Sequence, residues 1–441
     1  MPVNEILAMS CIASFFVLLL AGVPVALTLA ISGFFFGWLG FGTTLFNLLP
    51  ARIYGVTANY TLIAIPLFVF MGVMLEKSRL ADELMDVIGH VSGSLRGGMG
   101  LGIVLVGMLM GATTGIVGAT IVTLGLLTLP TLLRRGYDKS LACGAICASG
   151  TLGQLIPPST VLILLADILG ESVGTLFAAA LMPGLLLTGV FCIYMIVVGI
   201  VSPEKVPAVP IEERRAMPRG ELWLKVLKVG LPPIGLVLAV LGSIIAGIAA
   251  PTEAASMGAL GSILVAAIAR RFTWKVLVAT VQSTARITAM MFFVLICSQV
   301  FALSFRGLGG ERLVHDAFSL VPGGTNGIII FMLAIIFVLG FFIEWIEISY
   351  IVVPMFLPLL NNAGVDLVWA AALIATVLQT SFLTPPFGWA LFYLRGVAPP
   401  EVATGDIYRG VLPFIALQIA AVAVVFAFPD LATWLPRAIG W

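Results

Sequence analysis

Apolar residues occur along this chain in long, nearly uninterrupted blocks. Several of these blocks are long enough to cross the hydrocarbon core of a membrane as helices, which takes roughly 20 residues. Two nearly uncharged blocks, residues 99–133 and 327–360, are too long for one span and too short for two spans with a turn. We expect each to form a re-entrant hairpin, with its tip at residues 112–115 or 344–347. Such a tip needs surrounding protein or a cavity, because lipid cannot satisfy backbone polar groups.

Two further apolar blocks, residues 141–168 and 367–394, are each interrupted by a Pro-Pro pair. Proline lacks a backbone N–H and clashes with the preceding helical turn, so each helix must break there. The pairs Pro157-Pro158 and Pro385-Pro386 define an offset in numbering between the two halves of the chain. The same offset relates three other pairs: Pro130 and Pro358, Gly136 and Gly364, Asp138 and Asp366. One shared offset indicates an internal duplication.

The most polar stretch, residues 201–228, is predicted to be a cytoplasmic linker between a first repeat, 1–200, and a second repeat, 229–441. An interfacial amphipathic helix is predicted at residues 79–95, and residues 311–320 occupy the equivalent place in the second half. The first apolar block lacks a charged segment before it, so we interpret it as a retained span rather than a signal peptide.

Lysine and arginine clusters indicate the orientation, because cytoplasmic loops of membrane proteins are enriched in these residues. The clusters lie at residues 77–79, 96, 134–139, 205–228 and 270–275. If they are cytoplasmic, counting spans outward from the linker makes the two Pro-Pro blocks run in opposite directions. That arrangement is an inverted-topology repeat, and a matched pair of broken apolar segments is typical of secondary transporters.

Composition supports a polytopic membrane protein. Of the 441 residues, 61% are hydrophobic and only 10% are charged, and the mean hydropathy is +1.16. The net charge of +1 gives no indication of nucleic-acid binding. The five cysteines lie in apolar surroundings and match neither a metal site nor a disulfide framework. Motifs for ATP hydrolysis, zinc proteases and serine esterases are missing, so no enzyme and no organic cofactor is predicted.

The breaks and the hairpin tips are the predicted transport site. A broken helix exposes unpaired carbonyl groups, which suit a small cation, and unpaired N–H groups, which suit an anion. Sodium, a hard ion, should prefer oxygen ligands, by analogy with other hard cations. The candidate sodium ligands are Thr113, Thr114, Gly150, Gly153, Ile156 and Pro157 in the first half, and Gly340, Glu344, Glu347, Thr380, Ser381 and Thr384 in the second.

The candidate substrate-binding residues are Gln154, Thr114, Ser159, Thr384 and Arg395. Each candidate also has a simpler interpretation. Threonine and glycine in membrane helices commonly serve helix packing, and Arg395 fits an interfacial anchor as well as an anion contact.

Four sequence motifs carry a resemblance to a known family. They are GTLGQLIPPS, LTPPFGWALF, PTEAASMGAL at residues 251–260, and LPTLLRRGYDKSLACG. Over essentially its whole length the chain resembles the large membrane subunit of tripartite ATP-independent periplasmic (TRAP) transporters. The resemblance implies an elevator-type transporter of the bacterial inner membrane, surrounded by lipid, that couples uptake to sodium. It also implies two partners, a small four-helix membrane subunit and a periplasmic substrate-binding protein, and an organic acid anion as substrate.

The chain departs from the family pattern at three positions. Thr114 stands where many members have serine, Glu344 stands in place of an aspartate, and Arg395 replaces a serine. A hydroxyl and an acid are kept at the two tips, so the sodium expectation holds. The departures are closer to members linked with keto acids or other monocarboxylates than to the sialic-acid type. Two alternatives stay open: a stand-alone ion-coupled carrier or antiporter, and a membrane scaffold without transport, which would gain nothing from paired helix breaks.

Overall fold

The structure is a computed structural model that describes residues 3–79, 83–84, 87, 91, 95–209, 219–319 and 322–441. Those residues form helices and connecting segments without any β-strand. Seven helices are long and apolar enough to cross a membrane, or eight if the pair Thr44–Thr57 and Thr61–Lys77, bent by 53°, counts as one span. The prediction of an all-α polytopic membrane protein is therefore confirmed.

Twenty α-helices follow one another along the described residues. In chain order they are α1 Val3–Leu20, α2 Val25–Phe41, α3 Thr44–Thr57, α4 Ala64–Lys77, α5 Gly98–Thr114, α6 Val117–Arg134, α7 Lys139–Thr151, α8 Thr160–Leu169, α9 Val173–Val201, α10 Arg219–Ile245, α11 Pro251–Ile268, α12 Trp274–Gly307, α13 Gly310–Ser319, α14 Gly324–Leu339, α15 Trp345–Glu347, α16 Val353–Asn362, α17 Leu367–Leu383, α18 Trp389–Val397, α19 Thr404–Ala427 and α20 Asp430–Ala438.

The first hairpin consists of α5 and α6, joined only by Gly115 and Ile116. Gly115 adopts φ 62°, a left-handed conformation that ends α5 and that glycine reaches without a Cβ penalty. The turn therefore lies at the end of the predicted tip, residues 112–115, rather than at its centre.

The second hairpin consists of α14 on one side and α15, a π-helical turn at Ile348–Val352 and α16 on the other. Its connection is formed by residues 340–344, so the predicted tip at residues 344–347 was wrong by about one helical turn. The sequence argument placed the tip at the charged residues. In the folded chain, Glu347 is instead inside the second arm and buried.

The constant offset found in the sequence extends to backbone geometry in the turn before each broken helix. Gly136 and Gly364 both have positive φ, 79° and 65°. The N–H of Tyr137 donates to the Leu132 carbonyl at 3.0 Å, and the N–H of Val365 donates to the Leu360 carbonyl at 3.0 Å. The two halves thus close their helices with the same left-handed glycine motif.

An aspartate caps each broken helix at its start. The carboxylate of Asp138 accepts the Leu141 N–H at 2.9 Å. The carboxylate of Asp366 accepts the Val368 and Trp369 N–H groups at 2.9 and 3.2 Å. An N-cap carboxylate satisfies helix donors that otherwise lack partners, so Asp138 and Asp366 set where α7 and α17 begin.

The predicted linker, residues 201–228, is shorter in the structure, because α10 already begins at Arg219. Its first part is docked on the protein: Val206 and Val209 are buried, and the Asp138 N–H donates to the Lys205 carbonyl at 2.9 Å. Residues 210–218 lie outside the described residues. The amphipathic helix predicted at residues 79–95 also lies largely outside them, whereas its counterpart in the second half is the helix α13.

The helices pack in two groups. In the first group, α12 packs on α2 and α4, and α11 packs on α4. In the second group, α7 packs on both arms of the first hairpin and on α19, and α17 packs on α14 and α19. Small residues permit close contact inside the second group: a Cβ at Gly144 would overlap the backbone of Gly410. The hairpins and broken helices thus belong to one packed unit.

Candidate functional site at the helix breaks

A cavity of about 110 Å³ lies where both hairpin tips meet both helix breaks. The second helix group contributes most of the residues that line the cavity. They are Gly115, Ile116 and Val117 of the first hairpin, Gln154 and Thr160 of the first break, Glu344, Trp345 and Ile346 of the second hairpin, and Phe382, Trp389 and Tyr393 of the second broken helix. Val69 of α4 and Ile287, Met290 and Met291 of α12 contribute from the first helix group. Segments far apart in sequence thus converge on this cavity, which we call the chamber.

The first hairpin reaches the first break through two facing glycines. A Cβ on Gly111 would lie 2.5 Å from the Cα of Gly153, so only glycine allows the two backbones to approach this closely. Beyond this contact, the hydroxyl of Thr160 donates to the carbonyl of Gly115 at 3.4 Å. The first contact holds the end of α5 against the segment after α7, and the second holds the hairpin turn against the start of α8.

The second hairpin makes a related contact with the second broken helix. A Cβ on Gly340 would overlap the side chain of Ser381. Ser381 and Gly153 are related by the same offset as the two Pro-Pro pairs, so equivalent positions of the two broken helices receive the two hairpins. In the first half the facing group is backbone, whereas in the second half it is a serine side chain.

Polar groups in the cavity come from both halves. Gln154 is 3% exposed, and its side-chain oxygen has no hydrogen-bond partner among the residues that the structure describes. The Glu344 carboxylate lies beside the Tyr393 hydroxyl, within hydrogen-bonding reach. Because a buried polar atom without a partner is costly, Gln154 is a ready hydrogen-bonding group for a ligand.

The first break leaves the start of α8 open to the cavity. Ser159 precedes this helix but does not cap it, because its hydroxyl donates to the carbonyl of Gln154 instead. The first N–H groups of a helix lack intrahelical partners and carry the positive end of the helix dipole. Thr160, the first residue of α8, lines the cavity, so this helix end can hold a carboxylate.

Four of the predicted hydroxyl ligands have described side chains, and each of the four donates back into its own helix. Thr113 donates to Met110 at 2.8 Å, Thr380 to Thr376 at 3.2 Å, Ser381 to Leu378 at 2.7 Å, and Thr384 to Thr380 at 2.7 Å. A hydroxyl that donates its single hydrogen still has lone pairs that can accept or ligate. These bonds therefore fix the orientation of the oxygens without removing them as cation ligands.

The other predicted ligands lie around the cavity rather than in it. Gly150 packs against Ile121 of the first hairpin, and Ile156 packs against Gly184. The Pro157-Pro158 and Pro385-Pro386 peptides are both cis. Glu347 is 3% exposed, and one of its carboxylate oxygens has no hydrogen-bond partner among the described residues.

Three predicted substrate contacts, Arg395, Thr114 and Thr384, are not among the described residues that line the cavity. Arg395 is exposed and does not line the cavity; its guanidinium donates to the Val402 carbonyl at 2.6 Å. In this structure Arg395 therefore binds outside the cavity, and its contact with substrate stays a prediction. The side chain of Thr114 lies outside the described part of the chain. Thr384 is half-buried beside the second break.

Sequence reasoning missed the aromatic part of the cavity. Trp389 and Tyr393 follow the second Pro-Pro pair at i and i+4, which places them on one face of α18. A Cβ on Gly118 would lie 2.8 Å from the Tyr393 ring, so α6 also packs closely on this face. In the sequence, an aromatic pair at helical spacing directly after a break was the signal that could have indicated this part of the cavity.

Comparison with known proteins identifies the family. The family model described as the tripartite ATP-independent periplasmic transporter, DctM component, matches residues 12–431. The chain belongs to the TRAP transporter large permease family. It is therefore a multi-pass transport protein of the bacterial inner membrane, as the sequence resemblance predicted.

Named relatives resemble this permease over nearly its whole length. The ectoine TRAP transporter large permease protein TeaC of Halomonas elongata is 31% identical over 96% of this chain and 97% of its own. The C4-dicarboxylate TRAP transporter large permease protein DctM of Pseudomonas aeruginosa is 30% identical over 89% of this chain and 90% of its own. The sialic acid TRAP transporter large permease protein SiaM of Vibrio cholerae is 26% identical, covering 95% and 96%.

Solved structures of other transporters share the fold of this permease. The YdaH transporter of Alcanivorax borkumensis superposes with a TM-score of 0.59 at 15% identity, covering 90% of this chain and 89% of its own. MtrF of Neisseria gonorrhoeae superposes with a TM-score of 0.56 at 16% identity, covering 87% and 84%. At these identities the likeness concerns the fold alone.

Proposed function

We propose that this TRAP permease imports a small organic acid anion by sodium-coupled, elevator-type transport. In this proposal a periplasmic substrate-binding protein delivers the anion, and a small membrane subunit completes the transporter. The single observation that carries the proposal is the chamber built from both hairpin tips and both helix breaks. Helix ends offer unpaired N–H and carbonyl groups, so one chamber can hold an anion and its coupling cation.

The anion is proposed to bind at the start of α8. The uncapped end of α8 at Thr160 would hold its carboxylate, and the free side-chain oxygen of Gln154 would accept a hydrogen bond from a substrate hydroxyl or amine. Glu344 lies in the same chamber and would repel a second carboxylate. We therefore propose a small acid with one carboxylate, such as a keto acid or another monocarboxylate. The relatives named for ectoine, C4-dicarboxylates and sialic acid indicate how widely the substrates vary within the family.

Sodium is proposed to bind beside the anion, close to each helix break. In the first half the ligands would be backbone carbonyls around Gly150, Gly153, Ile156 and Pro157, together with the hydroxyl of Thr113. In the second half they would be the oxygens around Gly340 and the side chains of Thr380, Ser381 and Thr384. Glu347 would be a further contributor, because its unpartnered buried carboxylate oxygen lies in the second hairpin. A buried ionised carboxylate is stable only when a cation or hydrogen bonds compensate its charge.

Uptake into proteoliposomes tests the proposal. Liposomes containing this permease and its small subunit would be assayed with a panel of radiolabelled mono- and dicarboxylates, with and without the binding protein and an inward sodium gradient. We expect uptake of a monocarboxylate that requires both the binding protein and the gradient. Equal uptake without the binding protein would point to a stand-alone carrier. Uptake that persists without a sodium gradient but needs ATP would exclude the coupling.

A further inference from the structure

A second, larger cleft lies along the same helices that line the binding chamber. Its volume is about 460 Å³, and it is lined by α4, α6 and α12. These three helices also line the chamber, through Val69, Val117 and Met290 among others. The chamber and the cleft are therefore two positions along one seam, between the first hairpin and the first helix group.

Helix geometry gives the separation of the two positions. Between the nearest lining residues, the chain advances about 10 Å from Val69 to Glu76 on α4 and about 8 Å from Gly118 to Thr123 on α6, at a rise of ~1.5 Å per residue. On α12 the step from Ile287 back to Ala279 is about 12 Å. On all three helices the cleft is displaced from the chamber by a similar distance, which is what a continuous path requires.

The cleft carries an excess of positive charge. Among the residues that the structure describes, its lining contains three cations, Lys77, Arg79 and Lys275, and one acidic residue, Glu76. The rest of the lining that faces them from α6 is uncharged: Thr123, Leu126 and Leu127. The chamber, in contrast, has Glu344 as its charged lining residue and no lysine or arginine in its lining among the residues described. The seam thus becomes more attractive to anions with distance from the chamber.

We propose that this cleft is the cytoplasmic mouth of the substrate path, where Lys77, Arg79 and Lys275 attract the organic anion as it leaves the chamber. The inference rests on the proposed function, which supplies an anionic substrate. The orientation follows from the positive-inside rule, because all three cations belong to the basic clusters of the sequence. Partly hydrated cations attract an anion only weakly, so the anion is guided without being retained.

Charge-selective cysteine labelling tests the mouth without relying on transport. Thr123 is half-buried on the α6 wall of the cleft, so Thr123→Cys places a thiol opposite the cations. Inside-out vesicles are treated with the negatively charged sulfonatoethyl or the positively charged trimethylammonioethyl methanethiosulfonate. The parent protein without the added cysteine corrects for its five native thiols. We expect the negative reagent to react faster, and we expect this preference to shrink in high salt, which screens the charges.

Neutralising the three cations is the decisive comparison. K77Q/R79Q/K275Q in the Thr123→Cys background should lower the ratio of negative to positive labelling rates about tenfold, because the attraction of one reagent and the repulsion of the other are lost together. The matched control K205Q/K225Q/K228Q removes three cations that the same rule places on the same side but that do not line the cleft. It should change the ratio less than about twofold. Equal effects of the two triple variants would overturn the proposal, as would an unchanged ratio in both. If the triple variant is not monodisperse, Lys275→Gln alone should show a smaller change in the same direction.

Two further arms separate the remaining explanations. If lipid phosphate occupies the cleft instead, adding anionic lipid to zwitterionic proteoliposomes will abolish the preference for the negative reagent, and that result would overturn the proposal. An unchanged preference supports it.

Uptake measured on the parent protein separates this inference from the proposed function. Sodium-driven uptake with no cation-dependent labelling refutes the mouth alone, whereas cation-dependent labelling without uptake of any organic acid refutes the function that the mouth was inferred to serve.

Discussion

The two Pro-Pro breaks have the same backbone design but different surroundings. Both prolyl peptides are cis, and each break follows a helix with an aspartate cap. Ser159 and Phe387 occupy equivalent positions, each directly after its Pro-Pro pair, yet Ser159 is 0% exposed and Phe387 is 46% exposed. The Pro-Pro pairs thus determine where each helix breaks. The helices packed around each break determine how far protein covers it.

The helices after the two breaks, α8 and α18, are the outer halves of the broken helices, and they differ in the hydrogen bonds made at one equivalent position. Asp167 in α8 accepts hydrogen bonds from Asn59 at 2.5 Å and from the Tyr350 hydroxyl at 3.0 Å. Arg395, its equivalent in α18, donates to Val402 in the segment directly after its own helix. Asp167 therefore ties the first outer half to the connection between α3 and α4 and to the second hairpin, whereas Arg395 ties the second outer half to the segment that follows it.

The largest expected effect concerns Gly153, the glycine of the first break against which the first hairpin packs. Gly153→Ala would push a methyl group into the backbone of Gly111, which cannot move without displacing the first hairpin. Overpacking of this kind costs about 3 kcal/mol. We expect a strongly reduced yield of folded protein and a lower melting temperature, measured by fluorescence-detected size-exclusion chromatography during a temperature series.

Gly340→Ala sharpens this comparison, because its new methyl group meets the Ser381 side chain rather than backbone. The double variant Gly340→Ala/Ser381→Gly should recover most of the lost melting temperature, whereas no side-chain truncation can rescue Gly153→Ala. Gly189→Ala, where a Cβ would meet nothing within 4 Å, is the control. If Gly153→Ala melts like Gly189→Ala, the close contact at the first break is not real.

The second prediction compares the exposure of the two breaks directly. Phe387→Cys should react readily with a membrane-impermeant maleimide, while Ser159→Cys should react about 100-fold more slowly, because it is reached only by local opening. Labelling rates in native membranes measure both. Similar rates at the two positions would show that the first break is as open as the second.

The third prediction concerns the sodium ligands, which are proposed to differ between the halves. Thr380 offers a hydroxyl near the second break, while the equivalent position of the first half is Leu152. Thr380→Val keeps the shape and removes the oxygen, at a cost of about 1–3 kcal/mol. The apparent sodium affinity for uptake should fall by about 5- to 150-fold.

Thr376→Val is the matched control, because Thr376 makes the same kind of intrahelical bond one turn farther from the break. It should leave the sodium dependence unchanged. If Thr380→Val and Thr376→Val behave alike, the second-half site must be built from backbone carbonyls, as proposed for the first.

The smallest expected effect tests the anchoring of the outer halves. Tyr350→Phe removes the hydroxyl that donates to Asp167 and should lower the free energy of unfolding by about 1 kcal/mol. Arg395→Gln, at an exposed position, should change it by less than about 0.5 kcal/mol. Melting curves of the two variants provide the comparison. A larger loss for Arg395→Gln would show that the exposed bond to Val402 stabilises the fold more than the bond between Tyr350 and Asp167.

Much of the fold could be predicted from local features of the sequence. The breaks follow from proline, which cannot donate a helix hydrogen bond, and the preceding turns follow from Gly136 and Gly364, which adopt positive φ. The helix starts follow from the capping carboxylates of Asp138 and Asp366. Each of these effects acts within a few residues, so it can be recognised without the folded chain.

Other features depended on contacts between distant segments. The second hairpin turns at residues 340–344, where Gly340 meets Ser381 of a helix that lies about 40 residues further along the chain. Arg395 is near the break in sequence but binds Val402, away from the chamber.

The sequence by itself therefore determined the helix breaks and the membrane-spanning class of this permease, because these follow from local backbone chemistry and apolar length. Only the tertiary structure decided which residues line the chamber, since Val69, Met290 and Tyr393 come together from three separate helices. It also decided which of the two equivalent breaks is buried. Burial depends on which helices pack around a segment, and that is a property of the whole fold rather than of the residues at the break.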